Sequence, residues 1–370
     1  MKPDIALKLL AAVMKWTNEQ AREEFGWFAL MARLKYDDYR DFLAGMRFLD
    51  SLVAWLQQFE QHEREAAYTF ARRRLIFVSA AERERLVALL YPREIWPRLA
   101  KAAAERTKVP RWRVLVDSDA QQELTRERRS TLILGLSDGA GLDSFRHLNE
   151  GTISNEQVVV GVQLDEKKWA DLLRKLRKEL SDTAALFRRV ILVDDFTASG
   201  TSFLRKEDGT WTGKLPRFLQ SIHSQKVTAP QCSLLVHHLL GTPKAKEHLH
   251  LMRDRYRGGN APECEWIGAF EFSFGHLFST GVPLSKNNPA DQSFCALTDK
   301  YYNDRIETEH TLKGGVKHLG LGYAGCALPI VLDHNTPNNS VALLWAQTDS
   351  KNGQSAMRPL FRRRQRHTQT

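Results

Sequence analysis

Two adjacent carboxylates, Asp194 and Asp195, stand between an apolar run and a loop of small, hydroxylated side chains. The segment reads VILVDDFTASGTS from Val190 to Ser202. Neighbouring acids can accept hydrogen bonds from the two hydroxyls of a ribose. The loop Ala198, Ser199, Gly200, Thr201 and Ser202 can turn tightly and aim several backbone N–H groups at one anion. A helix starting just beyond it would add its positive end at the same point. Acids and loop are spaced for a ribose 5-phosphate, and open α/β sheets take ligands at the carboxyl ends of their strands. The bland alternative is an Asp-Asp helix cap after a core strand.

Two further stretches carry polar groups in tight turns. Ser137, Asp138 and Gly139 open a Gly-containing loop, Ser137–Gly141, after the β-like run TLILGL. Such a loop suits a phosphate, or serves as a plain strand-to-helix turn. His334, Asn335 and Asn338 lie in the turn-rich stretch Asp333–Asn339. They can contact a base or ribose, or simply belong to a turn between two strands, Tyr323–Leu332 and Ser340–Trp345. His248 and His250 have no third ligand at a diagnostic spacing and read as helix-face residues. The four cysteines form no CxxC pair and read as buried thiols of a reducing cytoplasm.

The elements that must position these groups follow from pattern. Unalternating apolar runs at 131–136, 157–162, 190–193, 233–238 and 266–274 alternate with helical stretches, Asp165–Leu180 among them. That order predicts an α/β fold, a parallel sheet flanked by helices. Residues 1–110 read as a helical N-terminal region. It comprises Asp41–Gln61, Ala67–Phe77 and, after the capping box Ser79–Glu82, a helix Ala81–Leu90 broken at Tyr91-Pro92. Trp55 and Trp96 read as packing anchors. Arg72–Arg74 is either a solvated helix face or a nucleic-acid contact. Lys206–Lys214 interrupts the chain just after the phosphate-type loop. Its Asp208-Gly209 turn predicts a hairpin insertion, whether lid, docking element or passive loop, with a helix resuming at Leu215–Ser224. The expected division is 1–110, then 111–350 for the α/β domain, then 351–370 as a mobile basic arm in which Arg358–Arg366 carries arginines and no acid.

A chain of 370 residues is long enough for about two domains. Its formal net charge of +10 and pI near 9.4 permit anionic partners, nucleic acid included. No apolar run approaches a membrane span, and the N-terminal stretch reads as an amphipathic helix rather than a signal peptide. A cytoplasmic protein is expected.

The strand, paired acids and Thr/Gly-type loop at 190–202 resemble the phosphoribosyl diphosphate motif of type I phosphoribosyltransferases. Ala198 and Ser199 stand where threonines are usual, and Thr201 where a second glycine is common. With the GLSDGA segment before it and HNTPNN after it, the chain resembles the phosphoribosyltransferase-like effectors of bacterial conflict systems over roughly residues 45 to 346. The resemblance implies Asp194 and Asp195 as the ribose-binding, catalytic acids, with Mg2+ held indirectly near them. It implies Ala198–Ser202 as the 5-phosphate loop and Ser137–Gly141 as the diphosphate loop. It further implies an antiphage effector acting at ribose C1, by transfer or N-glycosidic cleavage, in a complex with a partner such as a retron reverse transcriptase and its nucleic acid. A catalytically inactive ligand sensor or nucleic-acid-binding subunit is the alternative.

Overall fold

Residues Thr131–Gly135 are buried at every position, as a strand covered by helices on both sides must be. The computed structural model describes residues 3–162, 164–259, 261–350 and 356–363. Its strands are β1 Ile76–Val78, β2 Thr131–Gly135, β3 Val158–Val159, β4 Phe187–Thr197, β5 Arg205–Glu207, β6 Thr210–Thr212, β7 Thr228–Gly241, β8 Ile267–Leu277 and β9 Ile330–Leu332. The chain forms two compact units, Arg83–Ser279 and a second built from Met1–Glu82 together with Thr280–Thr370. The expected segments 1–110, 111–350 and 351–370 do not coincide with them.

Unit Arg83–Ser279 holds a five-stranded, wholly parallel sheet in the order β3-β2-β4-β7-β8. Alternate residues of each strand feed two cores. Val190 and Leu192 join Leu134, Leu234 and Val236 beneath the helices Glu166–Leu180, Lys214–Gln225 and Pro243–Gly258. Ile191 and Val193 join Ile133, Leu235 and Leu239 beneath helices that contribute Val87, Leu99, Leu124 and Phe145. The expected α/β sheet flanked by helices is the observed one. Asp165 caps Glu166–Leu180 by accepting from Lys168 N at 2.7 Å. The free edge of β8 is partly closed by arginines of the adjacent helix. Arg257 donates to the Gly268 carbonyl at 3.2 Å and Arg253 to that of Phe270 at 3.3 Å.

The second unit surrounds an aromatic core that includes Phe28, Phe48, Trp55, Phe70, Phe294 and Phe361. Phe70 and Phe294 stack with centroids 3.7 Å apart. Trp55 is fully buried and donates its indole N–H to Leu343 O at 2.8 Å. Ser79 and Glu82 form the predicted capping box, with Glu82 N to Ser79 Oγ at 3.3 Å.

Several expectations change. Between Asp41 and Gln61 only Phe48–Leu56 is an α-helix. The stretch Ala67–Phe77 divides into the helix Arg64–Arg73 and β1. Tyr91-Pro92 does not end its helix: Tyr91–Ile95 widens into a π turn and Trp96–Thr107 continues, because a widened turn spares the N–H that proline lacks. Ser340–Trp345 is not a strand but leads into a short helix, Ala342–Trp345, an ambiguity that unbroken apolar runs always carry. Arg72 and Arg74 form no solvated face. Arg72 pairs with Glu24 at 2.7 Å over the Trp27 ring, and Arg74 reaches the buried Asp291 at 2.9 Å. The start of the basic tail is anchored: Met357, Leu360 and Phe361 are buried, while residues 364–370 lie outside the described residues.

Candidate functional site

The ladder between β2 and β4 ends where Gly135 pairs with Val193, one residue before the acids. On its other side β4 stays paired with β7 through Asp194, Phe196 and Thr197. The acid pair therefore sits inside its strand but past the end of one neighbour. The strand order makes this place special. From β2 the chain steps outward to β3, then crosses back to β4 on the opposite side, so the topological switch point lies between β2 and β4.

The two carboxylates point to alternate sides of β4. Asp194 continues the face of Val190 and Leu192 and is only 3% exposed. Its Oδ2 meets Lys214 Nζ at 2.7 Å, and its Oδ1 accepts from the Asp195 amide at 3.3 Å. Burial, and after it the charge of Asp195, raises its pKa above the usual carboxylate range, with Lys214 opposing the rise. Asp195 is half-buried on the other side and accepts from Ser137 Oγ at 3.2 Å. That contact brings the Ser137–Gly141 loop to the acid pair. Asp138–Ala140 form a single 3-10 turn, and Gly141 at φ +68° leads into the helix Leu142–Leu148.

The loop after β4 is tightly framed. The Ala198 carbonyl accepts from Thr242 Oγ1 at 2.5 Å. Ser199 Oγ and Thr201 Oγ1 are 2.8 Å apart. Gly200, at φ +75°, packs so closely on the helix Pro243–Gly258 that a Cβ would lie 2.9 Å from His248 and 3.1 Å from Leu249. Among the described residues, no protein oxygen accepts from the amides of Ser199, Gly200 or Ser202. Those donors are what an anion at the loop would use.

No helix starts directly after Ser202. The hairpin β5–β6 intervenes, with the predicted Asp208-Gly209 turn, and the helix begins at Lys214. The chain is nevertheless stitched back to the loop. Lys214 N donates to Ser202 O at 3.3 Å and Leu215 N to Phe203 O at 3.1 Å. Trp211 of the hairpin packs on Tyr256 with centroids 4.9 Å apart, and Arg205 donates to Thr201 O at 3.1 Å. Sequence reasoning missed Lys214 as a site residue. Its signal was the lysine opening the resumed helix, visible only once the hairpin is folded out of the chain.

Beneath the acids, His238 stands opposite Asp194 in the β7 register and is fully buried, ringed by Phe203, Phe272 and Phe274. Burial lowers its pKa to about 3, and does the same to His237, which shares a 2.8 Å hydrogen bond with Ser273. His334, Asn335 and Asn338 belong to the other unit. There His334 Nδ1 meets the buried Asp333 at 2.9 Å, Asn335 N donates to Leu332 O at 3.2 Å, and Asn338 O accepts from Tyr323 N at 2.7 Å.

Two cavities of about 410 and 500 Å³ in the sheet unit are lined by residues preceding β2 and β3 and by the helices Leu142–Leu148 and Glu166–Leu180. Neither includes the acid pair, and their charges are largely paired, as in Lys175–Glu156 at 3.0 Å. The carboxylates and unclaimed amides at the switch point are the stronger site. Among the described residues no group of three or more His, Cys, Asp or Glu could hold a metal. The four cysteines are buried and none of them forms a disulfide. His248 is a helix-face residue whose Nε2 meets Leu204 O at 2.8 Å. No described helix is long and apolar enough to cross a membrane.

Residues 52–363 match the family described as PRTase-CE. No curated protein matches the chain, and no solved structure does.

Proposed function

The chain belongs to the PRTase-CE family, whose phosphoribosyltransferase-like function it shares, and from that premise we propose that the crevice beyond β2 and β4 binds a ribose 5-phosphate-type ligand. Phosphoribosyl diphosphate or a nucleotide fits, with reaction at C1 by transfer or N-glycosidic cleavage. The observation that carries the proposal is the Ser137–Asp195 contact at the switch point, with the unclaimed amides of Ser199, Gly200 and Ser202 on the loop that follows the acids.

In this scheme the loop Ala198–Ser202 holds the 5-phosphate, so that binding energy far from C1 positions the reacting centre. Asp195 accepts from ribose hydroxyls. Its carboxylate stabilises positive charge as it develops on the sugar. The Ser137–Gly141 loop faces the departing diphosphate. The oxygen donors of Asp195 and Ser137 suit Mg2+, which binds through one or two carboxylates plus substrate phosphates; there it would neutralise diphosphate charge. As an effector within a bacterial defence complex, the protein would draw on a nucleotide pool. What supports that part is the likeness of the SDGA, DDFTASGTS and HNTPNN segments to such effectors. The ion pair between Lys214 and Asp194 favours one second reading, a ligand sensor without turnover.

The test incubates the full chain with phosphoribosyl diphosphate and a nucleotide mixture, with and without Mg2+, and follows products by chromatography. Product formed by the native chain and lost in Asp195→Asn is expected. Binding without product selects the sensor, and absence of any binding to phosphorylated ribose removes the assignment.

A further inference from the structure

Both Asp194 oxygens are already engaged, one by the Asp195 amide and one by Lys214. The acid is almost fully buried, whereas the Lys214 side chain is about one-third exposed. An ammonium has three protons, and the carboxylate uses one of them. Lys214 also opens the helix whose backbone is bonded to Ser202 and Phe203, so its charge is delivered beside the loop with the unclaimed amides. Gly213 allows that return: at φ +123°, a Cβ there would lie 2.3 Å from the Phe203 carbonyl oxygen.

We propose that Lys214 is an anion-binding residue of the site, and that Asp194 is a positioning residue that aims it at the phosphate oxygens of the ribosyl ligand. The inference rests on the sugar-phosphate reading above and deepens it. The acid pair then divides its work, Asp195 toward the sugar and Asp194 toward the lysine. The β5–β6 hairpin becomes the element that lets the chain leave the loop and return with a cation. A lysine held by a buried carboxylate keeps a fixed position in the free protein, so little ordering remains when the anion arrives. Charge-assisted contacts of this kind are the strong ones.

The experiment is calorimetric titration of the full chain with ribose 5-phosphate and with phosphoribosyl diphosphate, using the native protein, Lys214→Gln, Lys214→Arg and Asp194→Asn. Lys214→Gln is expected to weaken binding about ten- to hundred-fold, and Lys214→Arg to restore most of it. Asp194→Asn should weaken binding less and alter its pH profile, which a purely structural role would not do. Loss with both ligands places the contact at the 5-phosphate, and loss with the diphosphate ligand alone places it there. If Lys214→Gln unfolds because Asp194 is left buried without a cation, the double variant Asp194→Asn, Lys214→Gln removes both charges and carries the same expectation. Native protein that binds neither ligand removes the site itself. Native binding with equal or tighter binding by the lysine variants overturns this inference and leaves the site standing.

Discussion

Gly213 lies against Phe203 so closely that no side chain can stand between them; the nearest backbone oxygen is 2.3 Å from where a Cβ would be. This contact closes the hairpin insertion at its base and joins the loop Ala198–Ser202 to the helix it would otherwise precede directly. Gly213→Ala combines a clash with backbone and a φ that L residues rarely adopt. A stability loss of about 2–4 kcal/mol is expected by denaturant titration. Unchanged stability would mean that the loop and helix are not held together there.

Acid should unfold the sheet unit through its paired histidines. His237 and His238 titrate near 3 when folded, against an ordinary 6.5. Their folded values are depressed, so the stability they preserve as neutral groups is complete above 6.5 and is lost as pH falls from there toward 3. At pH 5 each contributes a loss of about 2 kcal/mol. Arg98 acts on His237, and Lys214 and Asp195 on His238. Asp194 works in the opposite sense: its raised value favours the folded state as it takes up a proton, but it is one group against two. Thermal melts between pH 7 and 4 should fall, and His238→Phe should flatten the fall. A native profile already flat over that range would contradict the buried, neutral pair.

In the second unit, Asp291 is 1% exposed and depends on Arg74, with further bonds from Ser285 N at 3.2 Å and Asn288 Nδ2 at 3.1 Å. Arg74→Ala leaves that carboxylate buried without its cation. A loss of about 3 kcal/mol is expected, larger than for Asp291→Asn. Chemical denaturation of the two variants in parallel provides the check.

The tail should matter for stability as well as charge. Phe361 is fully buried and stacks on Phe48 with centroids 5.6 Å apart. Phe361→Ala should cost about 3–5 kcal/mol, whereas Arg358→Ala, on an exposed side chain, should cost less than about 1 kcal/mol. Equal melting temperatures for both variants would refute the anchored tail.

The parallel sheet was legible because its strands are apolar on both faces, and Val190–Val193 shows this most plainly. The hairpin was legible from Asp208-Gly209. The capping box Ser79–Glu82 and the turn at Asp333–Asn339 were legible because polar residues that bond their own backbone leave a local signal. What stayed hidden depends on distance along the chain. Nothing near Arg74 announces Asp291, and nothing near Arg358 announces that Phe361 meets Phe48. The opposite directions of Asp194 and Asp195 follow from strand alternation, but which partner awaits each depends on β2 ending one residue earlier and on Lys214 returning beyond the hairpin.

The pairing of the chain's two ends in one unit also sets an order of assembly during biosynthesis. The helices before residue 74 leave the ribosome ahead of the sheet unit, yet their aromatic core is completed by residues beyond Thr280. About 200 residues, the whole sheet unit, emerge in between, which takes about 10–40 s at ordinary elongation rates. Through that interval Phe28, Phe48 and Trp55 wait without Phe294 or Phe361. Chains released after residue 279 should therefore carry a folded sheet and a sticky, chaperone-binding segment before it.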